Sequence, residues 1–323
     1  MVDSTAGNVR LSIVIPSYQR PTIAARSIHG WVSQVDAPPF EVLVVDDGSP
    51  TQLVRELERN LPNDSRVRLL RRPHSGLAAT RNAGLEAARG SAILFVDDDM
   101  VPSSPTMLAR WVARLRSSGE AWVPRVSVSD CYVKTAVQAL WRERLERGGR
   151  RPDGQSLGRT GFWFGALMVE RAALQGERFN EAFTGYGWEE IEFGARLYRL
   201  GLRARMATDV QLWHDDEVRF AELLRKYEEM GRNTWTFRRA APGLSSALLT
   251  GTLPPVLWGR RLLRIEARGD RVAEVMRLWA DAPPGPGFSL DLKPLFLALE
   301  GAYTRGIRIG SAESDGPGGS SCN

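Results

Sequence analysis

The sequence predicts an α/β protein with a mostly parallel central sheet flanked by helices, and three observations carry that expectation. Short aliphatic runs at Leu11–Ile15, Glu41–Val45, Val67–Leu70 and Ala92–Val96 alternate with helix-like segments at Pro21–Gln34, Thr51–Asn60 and Leu77–Ala88. The connections between them are short, so each strand feeds a crossover helix and the strands run parallel, covered on both faces. The strands also stop in polar groups, at Pro16-Ser17-Tyr18, Asp46-Asp47-Gly48 and Asp97-Asp98-Asp99. In parallel sheets ligands bind at the carboxyl ends of strands, so these three ends converge on one crevice.

The acidic triplet is the most informative of the three. Like charges so close repel, and the repulsion is relieved by a divalent cation or by a raised pKa in one member. Hard oxygen ligands suit Mg²⁺ or Mn²⁺, and those cations suit a diphosphate. An acidic turn is the plainer alternative, because Asp is common where strands end. Asp46 and Asp47 can take the donors of a nucleoside, or form an Asx-turn that caps the next helix near Ser49. Arg81, in Thr80-Arg81-Asn82-Ala83-Gly84, can pair with a phosphate or with Asp47, or simply be a solvated helix residue. His74-Ser75-Gly76 is a loop that admits a close backbone approach.

Further along, Thr106–Arg116 and Thr135–Arg147 read as helices, and Gly148–Gly154 as a basic turn or loop. Gly161–Val169 reads as a strand. A helix is expected within Phe183–Gly201, with Trp188, Ile191, Ala195 and Tyr198 at helical spacing and Gly201 as its stop. Glu189, Glu190 and Glu192 then fall near its start, where the helix dipole favours acids. The lead-in Gly185-Tyr186-Gly187-Trp188 lets the chain pass close to a ligand, which makes a carboxylate here a general-base candidate. Val210–Trp213 reads as a short strand ending in His214, either a structural residue or a Mn²⁺ ligand. From Val218 the chain is mainly helical. The apolar stretch Leu244–Leu263, with Arg260 and Arg261 at its edge, is expected to pack as core, a dimer surface and an interfacial membrane contact being the alternatives.

Bulk properties narrow the classes. The chain has 323 residues, 43% hydrophobic and 25% charged, as in ordinary globular proteins. A net charge of +5 can attract a nucleotide or an anionic membrane but is too mild for nucleic-acid binding. Cys131 and Cys322 support no disulfide framework, which fits a reducing cytoplasm. Met1–Arg10 has no apolar signal core, and no run reaches the roughly 20 apolar residues of a membrane span. The expectation is a cytoplasmic protein, at most peripheral at the inner membrane face.

With these residues laid out, the chain resembles glycosyltransferase family 2, of the GT-A fold. The resemblance is carried by Leu11-Ser-Ile-Val-Ile-Pro-Ser-Tyr-Gln-Arg20, Val44-Val-Asp-Asp-Gly-Ser49, Gly76-Leu-Ala-Ala-Thr-Arg-Asn-Ala-Gly84, Ala92-Ile-Leu-Phe-Val-Asp-Asp-Asp99 and Gly185-Tyr-Gly-Trp-Glu-Glu190, in the family's order. It implies that Pro16, Tyr18, Asp47 and Arg81 hold the nucleotide, with Asp46 nearby. It makes Asp97–Asp99 the metal-binding DXD motif: Asp99 the direct Mn²⁺ or Mg²⁺ ligand, Asp97 a ligand or facing the sugar, Asp98 beside the donor. His214 matches a late metal ligand of galactosyltransferase-like members. In that subgroup a Glu-Asp pair opens the catalytic helix; here the pair is Glu189-Glu190, so Glu190, or failing it Glu189, is the implied base. The implied reaction is one inverting displacement from a nucleoside-diphosphate sugar to an acceptor hydroxyl.

Aromatics at Trp163, Phe164, Tyr186 and Trp188 are candidates to stack on the acceptor, whether polysaccharide, glycolipid or secondary metabolite. The implied organisation is a flexible residue 1–10 segment and a catalytic domain over 11–217, with a nucleotide half (11–101) and an acceptor half (102–217). A helical region (218–309) and a disordered tail (310–323) follow, and a homodimer is possible. Rival readings are a nucleotidyltransferase, which lacks its Gly-rich activating loop after the first strand, and a haloacid-dehalogenase-type phosphatase using Asp97 and Asp99, whose nucleophile strand comes earlier. A non-enzymatic role leaves the strand-end acids without purpose.

Overall fold

The computed structural model describes residues 9–115, 119–285, 288 and 290–314. The ends expected to be flexible at 1–8 and disordered at 315–323, and Arg116 of the expected Thr106–Arg116 helix, lie outside the described residues. The chain divides into two compact units.

The first unit comprises Met1–Ser129, Leu145–Thr184 and Phe193–Asp216. Its strands are β1 (Leu11–Ser17), β2 (Phe40–Asp46), β3 (Val67–Arg71), β4 (Ala92–Val96), β5 (Met100–Pro102), β6 (Glu120–Val128), β7 (Ala166–Glu170) and β8 (Arg203–His214). They form one sheet in the order β3-β2-β1-β4-β7-β6-β8-β5. β1 pairs in parallel with β2 and β4, as do β2 with β3 and β6 with β8; β7 runs antiparallel to β4 and β6, and β5 to β8. Helices α1 (Pro21–Val32), α2 (Thr51–Asn60) and α3 (Leu77–Ala87) follow the first three strands as expected, and α4 (Met107–Val112) is shorter than its expected segment.

Alternation along the strands feeds two cores. Ile13 and Ile15, Val42 and Val44, and Leu94 and Val96 belong to one; Val14, Leu43, Ile93 and Phe95 belong to the other. Continuous aliphatic runs are what a strand buried on both faces requires.

Two expectations need correction here, and one strand was not anticipated. The strand expected from Gly161 begins only at Ala166. Phe162 and Phe164 alternate as strand residues do, but they enter one core from a turn that Ala166 N–H closes on the Trp163 carbonyl at 3.2 Å. Val210–Trp213 is the end of a 12-residue strand. The whole of β6 escapes sequence detection because Pro124 interrupts it, and the pairing register shifts between Pro124 and Arg125.

The second unit comprises Asp130–Arg144, Gly185–Glu192 and Glu217–Asn323. It contains most of α5 (Ala136–Gly149), the first turn of α6 (Glu189–Arg199), and α7 (Phe220–Ala240), α8 (Leu244–Thr250), α9 (Pro254–Leu262), α10 (Ile265–Arg277) and α11 (Lys293–Ser314). Its core gathers Val137, Leu140, Phe220, Leu223, Met276 and Leu295. Glycines let α7 and α11 touch backbone to backbone: a Cβ on Gly306 would lie 1.9 Å from the Glu228 carbonyl oxygen, and one on Gly231 would lie 2.2 Å from that of Tyr303. Gly310 also packs on α7, so Gly310–Ser314 are helix rather than the start of the expected tail.

Leu244–Leu263 does not pack as core. Leu244 and Trp258 are each 67% exposed and Leu262 is 64% exposed, with Leu248 and Leu263 also open to solvent. Ser246, Ala247 and Thr250 take the buried positions of α8, so the small residues face inward and the leucines outward. Among the described residues no helix is long and apolar enough to cross a membrane.

Candidate active site

In the first unit the strand ends meet as expected, and pairing geometry explains why. β5 pairs with β8 so that Met100 faces His214, which brings Asp99 beside the imidazole. Asp215 N–H donates to the Asp99 carbonyl at 2.7 Å and locks that corner. His214 Nε2 lies 3.8 Å from Asp99 Oδ2.

Arg20, in the turn between β1 and α1, lies on the acids. It donates to Asp98 Oδ1 at 2.8 Å, to Asp99 Oδ2 at 3.1 Å and to Asp216 Oδ2 at 2.6 Å. Ser17 Oγ donates to Asp98 Oδ2 at 2.9 Å. Burial pushes the Asp98 carboxyl up to about 7, with Arg20 opposing and Asp99 reinforcing the rise. Burial disfavours the Arg20 charge, but Asp98, Asp99 and Asp216 outweigh it and raise its pKa. Arg20→Gln is expected to cost about 3 kcal/mol of stability, because it strands buried carboxylates. A urea-unfolding midpoint close to wild type would show that water can take the place of Arg20.

Asp97 has a different partner. Arg81, fully buried on α3 beneath the Phe179 ring, donates to Asp97 Oδ1 at 2.9 Å, while the Asp97 side chain stays 33% exposed. Burial raises the Asp97 pKa, Arg81 lowers it and Asp99 raises it, with a net upward shift. Gly165 leaves room for this carboxylate: a Cβ there would stand 2.9 Å from Asp97 Oδ2.

The second acidic strand end is tied into its loop. Asp46 Oδ2 accepts from Ser49 N–H at 3.1 Å. Asp47 accepts from Ser75 N–H at 3.0 Å and Gly76 N–H at 2.9 Å, with His74 Nδ1 2.9 Å from its Oδ2. Gly48 has φ +80°, and a Cβ there would meet the His74 nitrogen at 2.4 Å, so only glycine allows this close turn. The loop holds His74 against Tyr18, their rings stacked at 4.4 Å, with Tyr18 half exposed and Pro16 buried in β1.

Two of the expected acceptor residues are interior. Phe164 is fully buried, 5.4 Å from the Phe95 ring and 4.9 Å from Phe179, so it belongs to the core. Trp188 is buried in the second unit, its indole N–H donating to the Met230 carbonyl at 2.9 Å and Thr234 Oγ1 at 3.1 Å. These bonds hold its unusual φ of +75°. Trp163 is half-buried, and Tyr186 is 41% exposed. The glycines around Tyr186 serve packing on α7: a Cβ on Gly185 would meet Glu229 Oε1 at 2.6 Å, and one on Gly187 would meet Met230 Cγ at 2.5 Å.

At the start of α6 Glu189 is buried and Glu190 half-buried. Protein around the Tyr186 hydroxyl, and then the charge of Glu190, raise that phenol's pKa. The helix buries Phe193 and Leu197 rather than the expected Ile191, Ala195 and Tyr198 stripe, because the aromatic cluster around Phe179 selects Phe193. Sequence reasoning gave no site role to Arg20 or Asp216, and it noted Ser17 and His74 only as members of a polar strand end and a loop. Arg20 was visible as the end of the first motif, Leu11–Arg20, in the first strand–helix turn.

A carboxylate and an imidazole, donors that suit Mn²⁺ or Mg²⁺, converge at Asp99 and His214, where Arg20 also donates to Asp99 Oδ2. Among the described residues no three or more His, Cys, Asp or Glu side chains group as a metal site.

Residues 12–174 match Glycosyl transferase family 2. Hyaluronan synthase of Pasteurella multocida is 26% identical over 299 residues, covering 80% of this chain and 28% of that protein. Validoxylamine A glucosyltransferase of Streptomyces hygroscopicus subsp. limoneus is 28% identical over 224 residues, covering 59% of this chain and 48% of that protein. The chain therefore spans less than half the length of either relative. Mannosyltransferase PcManGT from Pyrobaculum calidifontis, solved with GDP-Man and Mn²⁺, superposes with a TM-score of 0.60 at 16% identity, covering 96% of this chain and 89% of that one. That likeness shows the fold.

Proposed function

The chain belongs to glycosyl transferase family 2 and has a GT-A-like fold, and from that premise we propose that it transfers a sugar from a nucleoside-diphosphate donor to an acceptor hydroxyl, with metal dependence and inversion. The observation that carries the reading is the convergence of Asp99 and His214 beside Asp97 at the strand ends. Family membership leaves the phosphatase and nucleotidyltransferase alternatives without support.

Tyr18, backed by His74, offers a ring face to the nucleoside, and Asp46 and Asp47 hold the surrounding loop in shape. Arg81 fixes Asp97 so that its exposed oxygen can accept a sugar or ribose hydroxyl. Asp98, bonded to Ser17 and Arg20, acts as a brace for this edge. Held by Asp99, His214 and the donor's own oxygens, Mn²⁺ or Mg²⁺ would neutralise the leaving diphosphate. Glu190 is the base that takes the acceptor proton, because its partial exposure gives it access that Glu189 lacks. A single displacement by the acceptor oxygen inverts the anomeric centre.

Calorimetric titration of UDP, GDP and dTDP, each with Mn²⁺ and with EDTA, tests the reading. Tight binding of one nucleotide that disappears in EDTA is the expected result; equal binding in EDTA would remove the metal from the proposal.

A second reading concerns Leu244–Leu263. Residues 230–265 contain six arginines and no Asp or Glu, and α8 and α9 turn Leu244, Leu248, Trp258 and Leu262 to solvent. Arg232 and Arg260 are paired with Glu228 and Glu300, but the exposed apolar groups, the tryptophan and the remaining arginines suit an anionic lipid surface, so the stretch is proposed as a peripheral membrane contact. The protein should sediment with phosphatidylglycerol vesicles but not with phosphatidylcholine ones, and Trp258→Ser with Leu262→Gln should release it. A stable dimer in solution whose formation is abolished by the same changes would reassign the surface to a second copy.

A further inference from the structure

In the second unit several guanidinium groups have acidic partners. Arg232 pairs with Glu228, Arg305 with Glu228 and Asp270, Arg260 with Glu300 and Arg308 with Glu266. Arg144 has aromatic neighbours instead. Its Cζ lies 4.7 Å from the Trp141 ring centroid on the same helix, 5.5 Å from that of Tyr227 on α7 and 6.0 Å from that of Phe296 on α11. Its Nη1 is closed off from solvent with no hydrogen-bond partner, and among the described residues no Asp or Glu pairs with it.

A buried N–H left unmet is destabilising, and aromatic faces offset the charge without satisfying the donors. Three rings also hold the planar group in place, which presents its fork as a preorganised seat for a carboxylate or phosphate. The position is informative as well. Glu190, Glu189, Tyr227 and Arg144 all act electrostatically on the Tyr186 hydroxyl, so Arg144 shares a neighbourhood with the proposed base. Lys226 adds a second cation 5.8 Å from the Tyr186 ring centroid, itself paired with Glu222 at 3.2 Å.

We propose that Arg144 is a specificity residue for an acceptor bearing an anionic group, a carboxylate or a phosphate, which the guanidinium holds while a hydroxyl of the same acceptor is presented to Glu190. This rests on the transferase reading above. An acceptor with hydroxyls alone would leave the guanidinium charge without a counter-charge. Lys226 is already neutralised by Glu222, so Arg144 carries the selection.

The test titrates the whole chain with methyl β-D-glucuronide, glucose 6-phosphate and methyl β-D-glucoside, read by tryptophan fluorescence. The same preparations are titrated with UDP and GDP in Mn²⁺. At least one anion should saturate at least about tenfold more tightly than the neutral glucoside. Glucuronide alone would mark a carboxylate acceptor, and glucose 6-phosphate alone a phosphate one. Arg144→Gln should erase the preference while nucleotide binding and the circular dichroism spectrum stay as in wild type, and Arg144→Lys should restore part of it. Equal affinity for the anions and the glucoside, no saturation by either anion, or a preference unchanged in Arg144→Gln would each overturn the proposal. An anion preference that depends on Arg144 in a chain that binds no nucleotide would instead sink the transferase reading and leave the anion seat standing.

Discussion

Alanine at Asp99 is expected to abolish the Mn²⁺-dependent part of nucleotide binding and to lower transfer by about 10³-fold, roughly 4 kcal/mol of transition-state stabilisation. The argument is geometric. Asp99 is the one acid of the triplet that the β5–β8 pairing sets beside an imidazole, with 3.8 Å between Oδ2 and Nε2. Asp97 is held by Arg81, Asp98 is bonded to both Ser17 and Arg20, and Asp99 shares Arg20 but alone has the imidazole. Folding should survive, because Arg20 keeps Asp98 at 2.8 Å and Asp216 at 2.6 Å once Asp99 is gone. Asp98→Asn is the control: it should lower the unfolding midpoint while leaving the metal dependence of binding in place. Calorimetry with Mn²⁺ and EDTA reads both variants, and metal-dependent binding that persists in Asp99→Ala would end the assignment.

The parts of the fold that could be read in advance are those where one chemical constraint acts along a local stretch. β1, β2 and β4 are buried on both faces, which largely aliphatic runs satisfy, with the buried Ser12 and Glu41 hydrogen-bonded to each other. β6 satisfies the same sheet with Pro124 and Arg125 in its middle, because a register shift absorbs the proline, and no local pattern announces a register shift. Aromatics mislead for a related reason. Phe164 and Trp188 have the chemistry of a sugar-stacking face, but that chemistry also fills a core, and the partners that decide between the two come from distant segments. The leucines of α8 and α9 mislead in the opposite sense, since apolar composition does not say which face has a neighbour.

The site shows the same division. That three adjacent carboxylates need compensation follows from Coulomb repulsion alone, and the triplet was legible for that reason. The identity of the compensating group was not: Arg20 reaches Asp99 across 79 residues and Asp216 across 196. Likewise Asp47 was readable as a turn carboxylate, but its acceptance of the Ser75 and Gly76 amides, 28 and 29 residues on, depends on Gly48 bringing the two loops into contact.

Glutamine at Glu190 is expected to preserve donor binding and folding while lowering turnover by about 10³-fold, within the usual contribution of a general base. The substitution keeps the side chain's length while removing its charge and its capacity to take a proton, so a loss confined to turnover, with donor binding intact, supports that role. Glu189 supplies the contrast. It is 2% exposed, and Glu189→Gln changes a buried group, so its effect should fall on the unfolding midpoint more than on the rate of the folded enzyme. Both variants are read by product formation at saturating donor together with nucleotide calorimetry. If Glu189→Gln proves stable and inactive while Glu190→Gln turns over normally, the base is Glu189, and the burial argument that separated the two residues is wrong. If both variants turn over normally, the first turn of α6 is stabilised by its helix dipole alone and the acceptor proton leaves by another route.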